Sequence, residues 1–200
     1  MGLAEFQQVL ATLYTDEAFR KQFFEDEHFV AASLGLEAED LNLLRQLDPG
    51  ELAYFSQSLV NKHYNEASLW APSVCLALGV KAKKLFQRYL GQRNPSKSLN
   101  PRQHAKAFLE YLQERSVLQE IPGPCFYDLL KYERCRLNAE GLLYINVLGM
   151  KYPMKGVMQV LHQGGDLWLV GVRPSWGFWL KLPGMQRPLH FILTWPSFRR

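Results

Sequence analysis

The sequence predicts an α+β protein, an N-terminal multi-helix bundle followed by a small antiparallel β-sheet, and three features of its 200 residues carry that reading. Apolar residues recur at helical spacing up to about Glu140. From Gly141 onward the apolar runs are short, rich in Trp, Phe, Leu and Val, and punctuated by Gly and Pro. Between them lies Ile121 to Ala139, IPGPCFYDLLKYERCRLNA, a helix with one apolar and one charged side against which the sheet is expected to pack. Three regions follow: acidic helices over 1–60, a helical domain with a basic face over 61–140, and the sheet over 141–200.

Leu3, Phe6, Leu10 and Leu13 define the first helix, and Thr15 is the expected N-cap of a second with Phe19, Phe23 and Phe24 on its aromatic face. Asp26 is expected to cap a short segment through Phe29 and Leu34 that Gly35 ends. A helix over 37–47 follows, with Leu41, Leu43, Leu44 and Leu47 as its apolar set. Asp48-Pro49 is a start signal, a capping carboxylate before a proline whose missing N–H costs nothing there, and its helix carries Leu52, Phe55 and Leu59.

Residues 64–78 read as a helix that buries Leu69, Val74 and Leu78 and is kinked or interrupted at Pro72. Residues 80–90 bury Val80, Leu85, Phe86 and Leu90. After the loop GQRNPSKSLNP, Asn100-Pro101 opens a helix with Ala105, Phe108, Leu109 and Leu112 inside. The 121–139 helix buries Phe126, Leu129, Leu130 and Leu137. Strands are expected over 142–148, 167–172, 176–182 and 189–195, joined by short turns as a meander, while 157–161 is ambiguous between strand and helical turn. One sheet face packs on the helices; the other, with Trp176 or Trp179 and Trp195, is expected to be an exposed interaction surface.

The net charge of +4 conceals an asymmetry: residues 1–60 hold 3 Lys+Arg against 11 Asp+Glu, whereas 61–120 and 121–200 each hold 10 against 4. The acidic third therefore has a field opposite to the rest, suited to docking on the basic part or to a different partner. No apolar run approaches the roughly 20 residues needed to span a bilayer, and the N-terminus lacks a signal-peptide pattern, so a soluble cytoplasmic protein with no membrane partner is expected. The three cysteines, Cys75, Cys125 and Cys135, form no CxxC pair and read as reduced core thiols.

The sequence contains no P-loop, GxGxxG or GxSxG, and His28, His63, His104, His162 and His190 show no metal-ligand spacing. Neither a cofactor nor an enzymatic activity is expected, although distant ligands converging in the fold stay open. The 121–139 helix concentrates Tyr127, Tyr132, Glu133, Arg134 and Arg136, residue types that anchor interfaces, and these with Trp176 and Trp179 are the candidate partner-binding residues. Glu133 could equally serve packing by answering Arg136 or Lys131. Lys81, Lys83, Lys84, Arg88 and Arg93 are the alternative, a cationic helix side of the kind that contacts nucleic-acid phosphates.

The segments SLVNKHYNEASLWAPSVCLALG, KKLFQRYL, HAKAFLEYLQ and FYDLLKYERCRLNA resemble the helical part of a bacterial family of DNA-binding-domain proteins. Related proteins partner multinuclear non-haem iron oxygenases that modify ribosomally made peptides, as in methanobactin-type biosynthesis. The whole chain, with FQQVLATLYTDEAFRKQFF and LDPGELAYFSQSL, also looks like a family of photosynthetic bacteria. The resemblance implies an adaptor that binds a partner enzyme or a peptide in a two-component system. An acidic stretch of about sixty residues precedes the helical part that usually begins the family's chains, and no metal ligand transfers. The oligomeric state is left open.

Overall fold

A computed structural model describes residues 3–26, 37–92, 99–118, 123–140 and 143–195. The segment expected through Phe29 and Leu34, His28, Gly35 and Arg93 lie outside the described residues. The chain divides into two compact units, Met1–Asn65 with Lys83–Ser98, and Glu66–Ala82 with Leu99–Arg200.

In the first unit, helices Leu3–Thr15, Glu17–Glu25 and Ala38–Arg45 surround a core of Val9, Leu13, Phe23, Leu41 and Leu44. The cap between the first two is Asp16: the Phe19 N–H donates to its Oδ1 at 2.9 Å. Thr15 instead closes the first helix, its hydroxyl donating to the Ala11 carbonyl at 2.8 Å, so the carboxylate takes the capping position expected of the hydroxyl. Asp48 caps as expected, accepting the Glu51 N–H at 2.8 Å, and opens Pro49–Ser68. Of the apolar residues named on these helices, Leu43 and Phe55 are exposed.

Pro72 interrupts the next stretch completely. It occupies the first turn of a new helix, Pro72–Leu78, where its missing N–H is harmless, and Leu69 in the break is exposed rather than buried. Gly79 then turns the chain at φ 54°, which places Val80 in a turn with 97% of its surface in solvent, not in the core. The helix Lys81–Gly91 begins one residue later and buries Ala82, Leu85, Phe86 and Tyr89, an i, i+3, i+4, i+7 set.

The second unit holds the sheet and the helix Phe126–Asn138, hereafter the central helix, which packs on Pro72–Leu78, on Pro101–Tyr111 and on strands β1 (Tyr144–Met150) and β2 (Ser175–Lys181). Asn100 forms a full capping box with Gln103 at the start of Pro101–Tyr111. From this helix Arg102 donates to the Leu137 carbonyl at 2.7 Å, satisfying the C-terminal end of the central helix. The sheet is antiparallel in the order β1-β2-β3, with β3 at Leu189–Thr194.

In this half one open alternative is resolved and one expectation is corrected. Residues 154–162 are a helix, because Met154, Val157 and Leu161 are buried at helical spacing and the Val157 N–H closes on the Pro153 carbonyl at 3.0 Å. Residues 167–172 are not a strand. Asp166 accepts the Trp168 N–H at 2.9 Å and winds Leu167–Leu169 into a 3-10 turn that leaves Trp168 and Leu169 exposed, as is Val172 beyond it. The β1–β2 connection is thus a long helical excursion, while β2 and β3 are joined by a short turn with Gly184 at φ 89°.

Candidate functional site

The register of the sheet sorts its side chains into two faces. On one, Asn146, Trp179 and His190 form a row across the strands and pack on the central helix: Tyr132 lies 5.5 Å from the Trp179 ring and 5.4 Å from His190, and His190 stacks on Trp179 at 4.9 Å. Asn146 donates to the Tyr144 hydroxyl at 2.7 Å and to Cys135 Sγ at 3.5 Å. Burial, then the nearby Glu133, pushes the Tyr132 phenol up to about 12, and burial also raises the thiols of Cys125 and Cys135. These groups are neutral packing elements.

His190 keeps much of its surface in solvent, but desolvation of the ring where it packs on Tyr132 and Trp179, then Arg136, holds it below its ordinary value of 6.5. A histidine depressed on folding takes up protons in the unfolded chain first, so its contribution is complete above pH 6.5 and is lost as pH falls through the folded value. Urea unfolding between pH 7.5 and 5 is expected to show this loss, and His190→Gln is expected to flatten that part of the profile.

The opposite face has a different character. Its rows are Ile145, Leu180 and Leu189; Val147, Phe178 and Phe191; and Gly149, Trp176 and Leu193. No position in this grid carries a charge. Ile145, Val147, Trp176, Leu189, Phe191 and Leu193 are between 46% and 70% exposed, and Phe178 stacks on Phe191 at 4.9 Å. Leu143, Leu182 and Trp195, also exposed, continue the alternation at the strand ends. Nine such side chains present on the order of 800 Å2 of apolar surface, beyond the few hundred Å2 usual for a monomer and close to one side of a standard protein interface.

At the Gly149–Trp176 corner the face meets a cleft of about 440 Å3 lined by Tyr127, Asp128, Lys131, Lys151, Tyr152 and Trp176. Asp128, nearly buried on the first turn of the central helix, shapes it: the carboxylate accepts the Lys151 N–H at 2.6 Å and the Tyr152 N–H at 3.2 Å and pairs with Lys131 at 3.2 Å. Lys131 Nζ also lies 4.6 Å from the centre of the Tyr127 ring. Ser175 fixes the facing loop by donating to the Tyr152 carbonyl at 2.6 Å and accepting the Met154 N–H at 3.3 Å.

No family model matches the chain, and no curated protein matches it. Among the described residues no group of three or more His, Cys, Asp or Glu could hold a metal ion, and no helix is long and apolar enough to cross a membrane.

The candidate residues from the sequence separate in space. Tyr127 and Trp176 come together in the cleft. Tyr132, Glu133 and Trp179, expected at a partner surface, are interior. Arg136 is spent inward: its Nε donates to Glu133 at 2.7 Å and its guanidinium also donates to the Trp70 carbonyl. Arg134 is exposed and donates to Gln113 at 3.1 Å, away from the sheet.

Lys81, Lys83, Lys84 and Arg88 are all exposed, but at about 100° per residue Lys81, Lys84 and Arg88 share a stripe that Lys83 does not. Sequence reading missed Ile145, Val147, Leu189, Phe191 and Leu193. Their period-two pattern is visible, but in β2 and β3 the more apolar parity, Trp176-Phe178-Leu180 and Leu189-Phe191-Leu193, is the one that alternation assigns to the covered face, whereas the fold turns it outward.

Proposed function

We propose that this chain is a non-enzymatic binding protein, an adaptor that engages a partner polypeptide through the uncharged face of the three-stranded sheet. The observation that carries the reading is the nine-residue exposed apolar surface at Ile145, Val147, Phe191 and their neighbours. Water-exposed apolar surface of this extent costs solubility and is retained where another molecule covers it.

A different polypeptide is favoured over a second copy. The face is rimmed at the cleft by Lys131 and Lys151 against a single carboxylate, Asp128, so a fitting partner pairs an apolar patch with acidic flanks, whereas a second copy repeats the same rim.

The test is quantitative capture from the native host with the tagged chain and with a Val147→Glu, Phe191→Glu double variant. Both side chains are exposed, so thermal stability is expected to hold within a degree or two while recovery of one specific partner falls at least tenfold. Equal recovery by both forms overturns the reading. So does a dimer in light scattering that the double variant dissolves, since that assigns the face to self-association.

A further inference from the structure

The cleft at the rim of the face has the composition of an anchor site. Its volume of about 440 Å3 lies within the roughly 300–1,000 Å3 of ligand pockets, toward the small end, and suits a side chain or two. Two aromatic side chains line it with about half their surface in solvent: Tyr127 from the central helix and Trp176 from β2. Trp176 lies against β1 at Gly149: a Cβ there would stand 3.4 Å from the indole ring, in van der Waals contact with it. The indole is thereby supported from beneath and open above.

The charges in the cleft are unevenly committed. Asp128 is saturated by two backbone N–H groups and Lys131, and Lys131 is in turn held between that carboxylate and the Tyr127 ring. Lys151 is different. Its backbone N–H is taken by Asp128, but its exposed ammonium has no partner among the described residues, which leaves the cleft with one uncompensated positive charge.

We propose that this cleft receives an acidic-aromatic segment of the partner polypeptide, with an aromatic ring between Tyr127 and Trp176 and the neighbouring carboxylate on Lys151. The inference rests on the reading of the sheet face as a docking surface and names the chemistry recognised at its edge. Stacking on rigid aromatic groups supplies the anchor, and the single ammonium selects the sign of the flanking charge.

Three capped tripeptides serve as probes: acetyl-Asp-Phe-Gly-amide, acetyl-Lys-Phe-Gly-amide and acetyl-Asp-Ala-Gly-amide. NMR titration of the full chain is expected to shift the Trp176 indole resonance with the Asp-Phe probe and to give about tenfold weaker binding for each of the others. Lys151→Glu is expected to weaken the Asp-Phe probe at least tenfold and to reverse the preference toward Lys-Phe, while Lys155→Glu, a charge change on the exposed side of the Met154–His162 helix, leaves it unchanged. Equal binding of the three probes, no shift at Trp176, or indifference to Lys151→Glu overturns the proposal. Partner capture that depends on Val147 and Phe191 alongside a failed titration removes the anchor site and keeps the docking face; the converse pair of results removes the docking face and keeps the anchor site.

Discussion

Gly177→Ala is expected to destabilise the protein by about 3 kcal/mol, the upper part of the range for overpacking a closed core. A Cβ at position 177 would sit 2.5 Å from the Trp179 ring, closer than any unstrained carbon contact. That ring has nowhere to go. Trp179 is 1% exposed, and it is held between Tyr132 on the central helix and His190 on β3. Either the indole leaves its place or β2 shifts away from the central helix. Urea unfolding followed by tryptophan fluorescence measures the loss, and a stability within 0.5 kcal/mol of the parent would show that the row tolerates an added methyl group. The same substitution at Gly164, where no atom lies within 4 Å of the added carbon, meets no such steric conflict; its cost comes from φ 69° alone.

Glu133→Ala is expected to cost about 2–4 kcal/mol, within the range for stranding one member of a buried polar cluster. The carboxylate is 1% exposed and ties the central helix to residues 70–73: it accepts the Ser73 N–H at 3.1 Å and Arg136 Nε at 2.7 Å, and Arg136 reaches on to the Trp70 carbonyl. Alanine leaves the Ser73 N–H and the guanidinium without their acceptor. Arg136 keeps about a third of its side chain in water, which holds the cost below that of a fully buried pair. Glu133→Gln retains an acceptor and is expected to lose less than half as much. Denaturant midpoints with an unchanged m-value would place the effect on stability alone, and partner capture per folded molecule is expected to stay level because Glu133 does not reach the sheet face.

Much of this architecture was legible in the sequence because local signals agreed with the tertiary outcome. Asp48-Pro49 and Asn100-Pro101 open helices because capping and proline geometry need nothing from outside the first turn. The central helix declares its buried side through Phe126, Leu129, Leu130 and Leu137. The errors fall where partners decide. Residues 167–172 are as apolar and β-branched as a strand, yet an Asp166 hydrogen bond winds their start into a 3-10 turn, and among the described residues no strand pairs with them.

The candidate site was only half legible for a related reason. Tyr, Glu and Arg on one helix resemble an interface by composition, but Tyr132, Glu133 and Arg136 meet the sheet and the Trp70–Ser73 turn and are consumed there. Of the two tryptophans on β2 separated by three positions, the pleat sends Trp176 outward and Trp179 inward. Composition names both; only the register distinguishes them.

The claim that the uncharged sheet face docks a partner is tested most directly by a photo-crosslinking residue placed at Phe191 and, in a second form, at Leu76, which belongs to the same unit and is about as exposed but stands on the helix Pro72–Leu78. In cells of the native host, irradiation is expected to join position 191 to one specific polypeptide and to leave position 76 without that product. Cross-linking of the same polypeptide from both positions, or from position 76 alone, would contradict the assignment of the face.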